Sequence, residues 1–137
     1  MTRKVFLSFV EEDLNLAMMF RGQAKNINSQ LEFSDHSVKI PYNSKDADYI
    51  KQQIRSKIDG VSVLVCLIGR TTHSSEWVKW EIISASTKGK GLVGVRLHSD
   101  NLDIIPSTIL RDEGIITNWN HQDIVNAIEK SARDAGY

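Results

Sequence analysis

Two hydrophobic periods alternate along this chain. Residues 4–9, Lys4-Val5-Phe6-Leu7-Ser8-Phe9, form a short run with β-branched and aromatic side chains, which predicts a strand. In residues 13–28, Leu14, Ala17, Phe20, Ala24 and Ile27 recur every three or four positions, the stripe of an amphipathic helix. Residues 31–33 predict a short second strand. Residues 36–45 hold Pro41, Asn43 and Ser44 without a period and predict a loop. Residues 46–58 predict a second helix, with Ala47, Ile50, Ile54 and Ile58 on one face and Gly60 as its terminating glycine.

The second half continues the alternation. Residues 61–68 are almost continuously apolar, as a central parallel strand covered on both faces should be. A polar connection over 69–74 leads to a third helix, Glu76–Thr87. Ser75 can cap it, and Glu76 complements its dipole. Residues 88–91, Lys-Gly-Lys-Gly, end that helix and turn the chain. Residues 92–97 predict a fourth strand. Residues 98–113 are irregular, with a helical turn after Pro106, and 114–119 predict a fifth strand. Asn120 caps a last helix that turns Ile124, Ile128, Ala132 and Ala135 inward. Strands alternating with helices imply a parallel sheet with helices on both faces. Right-handed crossovers then give an α/β fold with the flavodoxin-like five-stranded order 2-1-3-4-5.

Composition narrows the class. The chain has 137 residues, of which 41% are apolar and 25% charged, the balance of one globular domain spanning 1–137. One cysteine excludes a disulfide framework and a multi-cysteine zinc site, and it points to a reducing, cytoplasmic setting. Lys+Arg and Asp+Glu balance at 17 each, which argues against nucleic acid or an anionic membrane as partner. No apolar run reaches the length of a membrane span, and no secretory leader is expected at the N-terminus.

In such a sheet, ligands sit beyond the carboxyl ends of the strands, where the order reverses between strands 1 and 3. The expected lining is residues 8–13, 34–45, and Gly69 through the start of the third helix. Several occupants of this place are excluded. GxGxxG after strand 1 and GxxxxGK[ST] are both absent. The loop Val10-Glu11-Glu12-Asp13 is acidic and suits a phosphate poorly. A phospho-receiver would need an Asp at the end of strand 3, where Cys66-Leu67-Ile68-Gly69 stands. Cys66 reads as a buried, inert thiol. His36, His73, His98 and His121 show no ligand spacing, so no metal site is expected.

The informative stretch is Ser74-Ser75-Glu76-Trp77-Val78-Lys79-Trp80-Glu81-Ile82. On a helix, Val78, Ile82 and Ala85 face the core, and Trp77 and Glu81, four apart, share one flank of that stripe. Glu81 then lies at the edge of the buried face beside an indole. Partial desolvation there raises a carboxyl pKa and suits it to acid–base or nucleophilic work. Spacing alone equally fits a solvated Glu81 paired with Lys79, Lys88 or Arg70. As an edge group, Glu81 should contribute little to stability. Trp80 and Ile83 point away from the core stripe and suggest a self-association face.

Those residues carry a family resemblance. The chain resembles bacterial TIR-like domains, most of all the ThsB type of the Thoeris anti-phage defence systems. Residues 4–9 look like the first TIR box. Residues 62–69, followed by a Thr/Ser-rich turn, are similar to the central strand. Residues 75–82 are similar to the Ser/Arg-x-Trp-Val-x-aromatic-Glu-Ile start of the family's catalytic helix. The resemblance implies that Glu81 is the catalytic residue for cleaving the nicotinamide–ribose bond of NAD+, with NAD+ as substrate and no cofactor. It assigns Trp77 to shaping the pocket and Ser8 and Phe9 to substrate contact. Asp35 would reach ribose or carboxamide, or else cap a turn; Tyr42 would stack on a base, or else pack. The resemblance further implies a nucleotide product, an ADP-ribose or a cyclic isomer, sensed by a separate effector protein. It also implies activation by self-association, for which the Trp80/Ile83 face and the 36–45 loop are candidates. That loop, His36-Ser37-Val38-Lys39-Ile40-Pro41, lacks the Arg-Asp-x-x-Pro-Gly pattern of animal and plant adaptors. Two alternatives stay open: a non-catalytic TIR interaction module, and a glycosyl-bond enzyme resembling nucleoside deoxyribosyltransferases.

Overall fold

The structure is a computed structural model and describes residues 3–28, 30–36 and 40–137. Five parallel strands form one sheet in the order β2-β1-β3-β4-β5. They are β1 (Arg3–Ser8), β2 (Leu31–Asp35), β3 (Val63–Ile68), β4 (Gly91–Arg96) and β5 (Ile115–Asn118). Between them run α1 (Leu14–Ile27), α2 (Ala47–Asp59), α3 (Glu76–Thr87), the short α4 (Ser107–Arg111) and, last, α5 (His121–Asp134). This is the flavodoxin-like α/β arrangement expected from the alternation of periods.

Each face of the sheet has its own core. Val5, Leu7, Val65 and Val95 pack with Phe20 of α1 and Ile124 and Ile128 of α5. Phe6, Leu64, Cys66 and Ile68 pack with Ile54 and Ile58 of α2 and Val78 and Ile82 of α3. Strand β3 contributes to both layers and is buried at every position, so both faces of the pleat carry apolar side chains. Cys66 lies in that strand; burial pushes its thiol pKa up, consistent with an unreactive group.

Helix ends follow the cap residues. The Ser75 hydroxyl accepts from the Val78 N–H at 3.2 Å, and the Asn120 side chain accepts from the Asp123 N–H at 3.1 Å. These caps fix where α3 and α5 begin. The helical turn expected after Pro106 is α4.

Several boundaries differ from the sequence reading. Strand β2 continues two residues further, to Asp35, because Ser34 and Asp35 pair in register with Phe6 and Leu7 of β1. A partner strand, invisible to local pattern, extends it. Helix α1 starts at Leu14 after a 3-10 turn over Glu11–Asp13, which buries Asp13. Ile27 does not join its stripe and stands 54% exposed, since Ala17, Phe20 and Ala24 already fill the contact with the sheet. Gly60 ends α2 with φ −84°, so its left-handed freedom is not used there. Ala135 caps α5 rather than extending its inward face. Gly91 opens β4 under α5, where a Cβ would lie 2.2 Å from the Ser131 Oγ and 2.8 Å from its carbonyl oxygen. Of the 36–45 loop, Ser37, Val38 and Lys39 lie outside the described residues. Among the described residues, no helix is long and apolar enough to cross a membrane.

Ile58 is fully buried on the face shared by α2 and α3. Ile58→Ala should lower the free energy of unfolding by about 2–4 kcal/mol through the cavity it leaves. Urea denaturation reads this directly; a loss below about 1 kcal/mol would mean that this helix face does not carry the core.

Candidate functional site

The order of strands reverses at β1, which has β2 on one side and β3 on the other. A cavity of about 360 Å³ opens at this place, beyond the carboxyl ends of the strands. Its walls come from three directions. Phe9, Val10 and Glu11 follow β1, and His36, Ile40 and Pro41 follow β2. Ile54 of α2, the cap residue Ser75, and Trp77 and Glu81 of α3 complete it.

Glu81 is the unusual member. It sits on the buried side of α3 between Val78 and Ile82, and only 5% of its surface is exposed. The Ser8 hydroxyl, at the end of β1 and itself buried, donates to the Glu81 Oε1 at 2.7 Å. Burial pushes the Glu81 carboxyl from the ordinary 4.5 up to about 8. The Ser8 hydrogen bond and the charge of Lys57 pull it down, and the nearby Asp35 carboxylate adds to the rise. Of the two readings that helical spacing left open, the desolvated one holds. No ion pair with Lys79, Lys88 or Arg70 forms: the Lys88 Nζ bonds Asp59, and Arg70 bonds Asp100 and Asp103. Burial is also deeper than an edge position, because the 3.6-residue turn brings residue 81 over the end of β1.

The remaining residues singled out in the sequence fall in three groups. Phe9 and Trp77 line the cavity with Glu81. The Trp77 Nε1 donates to the Ile40 carbonyl at 3.1 Å and so ties the loop after β2 to α3. Tyr42 packs edge-on against the Trp77 ring, with centroids 5.0 Å apart, and forms no part of the cavity lining. Lys51 lies 4.4 Å from the Tyr42 ring centroid, a cation–π contact on the outer side. Asp35 is engaged at 2.6 Å by the Arg21 guanidinium of α1 and is not part of the lining. Ser8 supports Glu81 from beneath. Trp80 does not stand free as expected; it is half-buried against the α2–α3 core, with Arg55 5.2 Å from its ring centroid. Ile83 is exposed.

His36 lies within the 34–45 segment expected to line the site and is a wall residue, though it was not singled out for a role there. Burial, and then the charge of Lys57, lowers its pKa. The Lys57 Nζ, which also donates to the Asp35 carbonyl at 2.8 Å, lies 2.9 Å from the His36 Nδ1. An ammonium can only donate, so the Nδ1 accepts and the ring proton sits on Nε2. The signal for His36 was positional: it is the first residue past the true end of β2, which the sequence placed two residues too early. Next to the site, the buried Asp13 carboxyl packs on Gly69, where a Cβ would lie 2.2 Å from its Oδ2. Gly69 is therefore required by the close approach of that acid.

A flavodoxin-like sheet with a buried glutamate at its switch point defines the class only as an α/β domain with a candidate site at β1. Residues 6–102 match the family of the Thoeris protein ThsB, TIR-like domain, and the chain belongs to that family. It is thus a TIR-like Thoeris defence protein. No match was found among curated proteins. Among solved structures, the chain is similar to a 3-dehydroquinate dehydratase-like protein from Bifidobacterium longum, at 15% identity and a TM-score of 0.50. That likeness covers 97% of each chain and shows the fold alone.

The buried carboxyl has a consequence for stability. The folded chain keeps the Glu81 proton up to about pH 8, whereas the unfolded chain releases it near 4.5. Stability therefore falls as pH rises between those values, by an amount on the order of 3 kcal/mol at neutrality. Glu81→Gln keeps the shape and a hydrogen bond to Ser8 without the titration. Its melting temperature should exceed that of the natural chain by a margin that widens from pH 5 to pH 8. A margin that stays constant across that range would show an ordinary, solvated carboxyl. This replaces the expectation that Glu81 contributes little to stability.

Proposed function

We propose that this protein cleaves the nicotinamide–ribosyl bond of NAD+ at the Glu81 cavity. The observation that carries the reading is a single one: Glu81 is buried at the switch point with a raised pKa and a neutral hydroxyl as its hydrogen-bond partner. NAD+ brings a pyridinium cation to this carboxyl. Beside a buried carboxyl the cation favours the carboxylate form and drives the Glu81 proton to solvent.

Bond cleavage then moves the glycosidic electron pair onto the pyridinium nitrogen and releases neutral nicotinamide. The ribosyl centre left behind is oxocarbenium-like, and the Glu81 carboxylate stabilises its charge. Ser8 holds the carboxylate in place. Phe9 and Trp77 wall the reacting centre from bulk water, and the cavity volume suits the nicotinamide-ribosyl half of the substrate. A water, the adenine ring or another nucleophile closes the reaction on the ribosyl carbon and loses its proton. ADP-ribose, a cyclic isomer or a conjugate results, in this reading a signalling nucleotide sensed by a separate effector. Tyr42 acts through Trp77, and Asp35 through its charge on Glu81. Self-association is assigned to the exposed Ile83 side of α3 and to the loop after β2, which supplies part of the cavity wall.

A pure interaction module fits less well. A carboxyl buried with a single hydroxyl partner lowers stability at neutral pH, and binding to another domain does not need it.

The test is incubation with NAD+ at high protein concentration, with products resolved by liquid chromatography and mass spectrometry. The natural chain should release nicotinamide, and Glu81→Gln should lower the rate by at least about 100-fold. The ratio kcat/KM should rise with pH through a midpoint near 8, as the free carboxyl ionises, and level off above it. Undiminished turnover by Glu81→Gln would remove this residue from the mechanism. Nucleoside exchange without NAD+ cleavage would select the deoxyribosyltransferase-like alternative. Silence even in protein recovered from phage-challenged cells would leave the interaction module.

A further inference from the structure

A second cavity, of about 450 Å³, lies at the other half of the sheet, beyond the carboxyl ends of β4 and β5. It shares no lining residue with the Glu81 cavity. Its polar lining is Arg96, His98, Ser99, Asn101 and Asn118, with Trp119 as an aromatic wall, and no carboxylate belongs to it. The register pairs Arg96 with Asn118 across the two strand ends, so their side chains leave the same face of the sheet.

Arg96 is the telling residue. Of the other guanidinium groups, five are occupied: Arg3 by Glu129, Arg21 by Asp35, Arg70 by Asp100 and Asp103, Arg111 by Asp112, and Arg55 by the Trp80 ring; the sixth, Arg133, is exposed to solvent. Arg96 is half-buried and, among the described residues, its side chain has no hydrogen bond, ion pair or ring contact. A partly desolvated guanidinium without a counter-charge is unfavourable unless an anion completes it. His98 is prepared alongside. Its Nδ1 lies 2.8 Å from the Asp103 Oδ2, and its backbone N–H donates to the same oxygen at 3.1 Å. Asp103, with its side chain 1% exposed, is held in turn by Arg70 at 2.8 Å. This buried acid fixes the orientation of the ring. Ser99, Asn101 and Asn118 supply neutral donors.

We propose that this cavity binds the phosphate or diphosphate group of a small ligand, with Arg96 as the bidentate anchor, Asn118 as a flanking donor and the His98 ring as a side wall. The planar guanidinium fork matches two phosphate oxygens, and the cavity volume lies within the range of small-molecule sites. Trp119 gives the attached organic part an apolar wall. The site is independent of NAD+ cleavage, since the Glu81 cavity contributes nothing to it.

The probe is inorganic pyrophosphate, titrated into the full chain by calorimetry, with amide chemical shifts recorded in parallel. Saturable binding is expected, with shifts at Arg96, His98 and Asn118. Arg96→Gln should weaken it at least about tenfold. Arg96→Lys keeps the charge but loses the fork and should weaken it less, which separates anion recognition from misfolding. Glu81→Gln and the surface substitution Arg133→Gln should leave binding unchanged. Absence of saturable binding would overturn the proposal. So would shifts centred on the Glu81 cavity, or equal losses in Arg96→Gln and Arg133→Gln.

Discussion

The hydrogen bond from Ser8 to Glu81 joins the end of β1 to the second turn of α3, and the site is organised around it. A carboxyl can be buried here because the Ser8 hydroxyl is also buried and points at it. The hydroxyl is neutral, so it satisfies an oxygen without cancelling the charge that ionisation would create. That combination keeps the group protonated in the empty protein and responsive to a cation. An arginine in place of Ser8 would hold the carboxylate permanently ionised and remove the response. The same contact fixes where α3 lies on the sheet, because its apolar face, Val78, Ile82 and Ala85, must pack while Glu81 meets the strand end.

Around that contact the walls are tied to one another. Trp77, one turn before Glu81, holds the loop after β2 through the Ile40 carbonyl. Lys57 of α2 holds the other end of that loop through the Asp35 carbonyl and the His36 ring. The two helices on this face thus each hold part of the same loop, one at its start and one at Ile40.

Much of the fold was legible because its signals are local. The period of three and four located α1, α2, α3 and α5, and the apolar run of β3 announced a strand covered on both faces. Ser75 and Asn120 marked two helix starts by cap chemistry alone. The extra length of β2 was not legible, since it depends on pairing with β1. For the site, residues 75–82 named Glu81 and Trp77, and the topology named the segments that line the cavity. Helical spacing could not decide between a solvated and a buried Glu81. The deciding fact is that Ser8, 73 positions earlier in sequence, ends its strand beneath it. His36 and the outward role of Tyr42 depend likewise on contacts between distant segments. The unpaired state of Arg96 could not be read at all, because a sequence shows how many acids exist but not which arginines they reach.

The two ends of the sheet therefore offer opposite electrostatics from one topology. At β1 and β2, the cavity holds two acids, Glu11 and Glu81, and one of them is desolvated. At β4 and β5, the cavity holds an arginine and a histidine and no acid. The chain as a whole is neutral, so this separation is local and net charge conceals it. Neutrality argued against a polyanionic partner such as nucleic acid, and that argument still applies to the surface as a whole. It has no force inside a cavity, where two or three fixed side chains set the potential and low dielectric magnifies each of them. The two proposals accordingly place a cation at one end of the sheet and a phosphate at the other. Parallel strands make both places available, since every strand ends on the same edge and the loops that follow are free to differ.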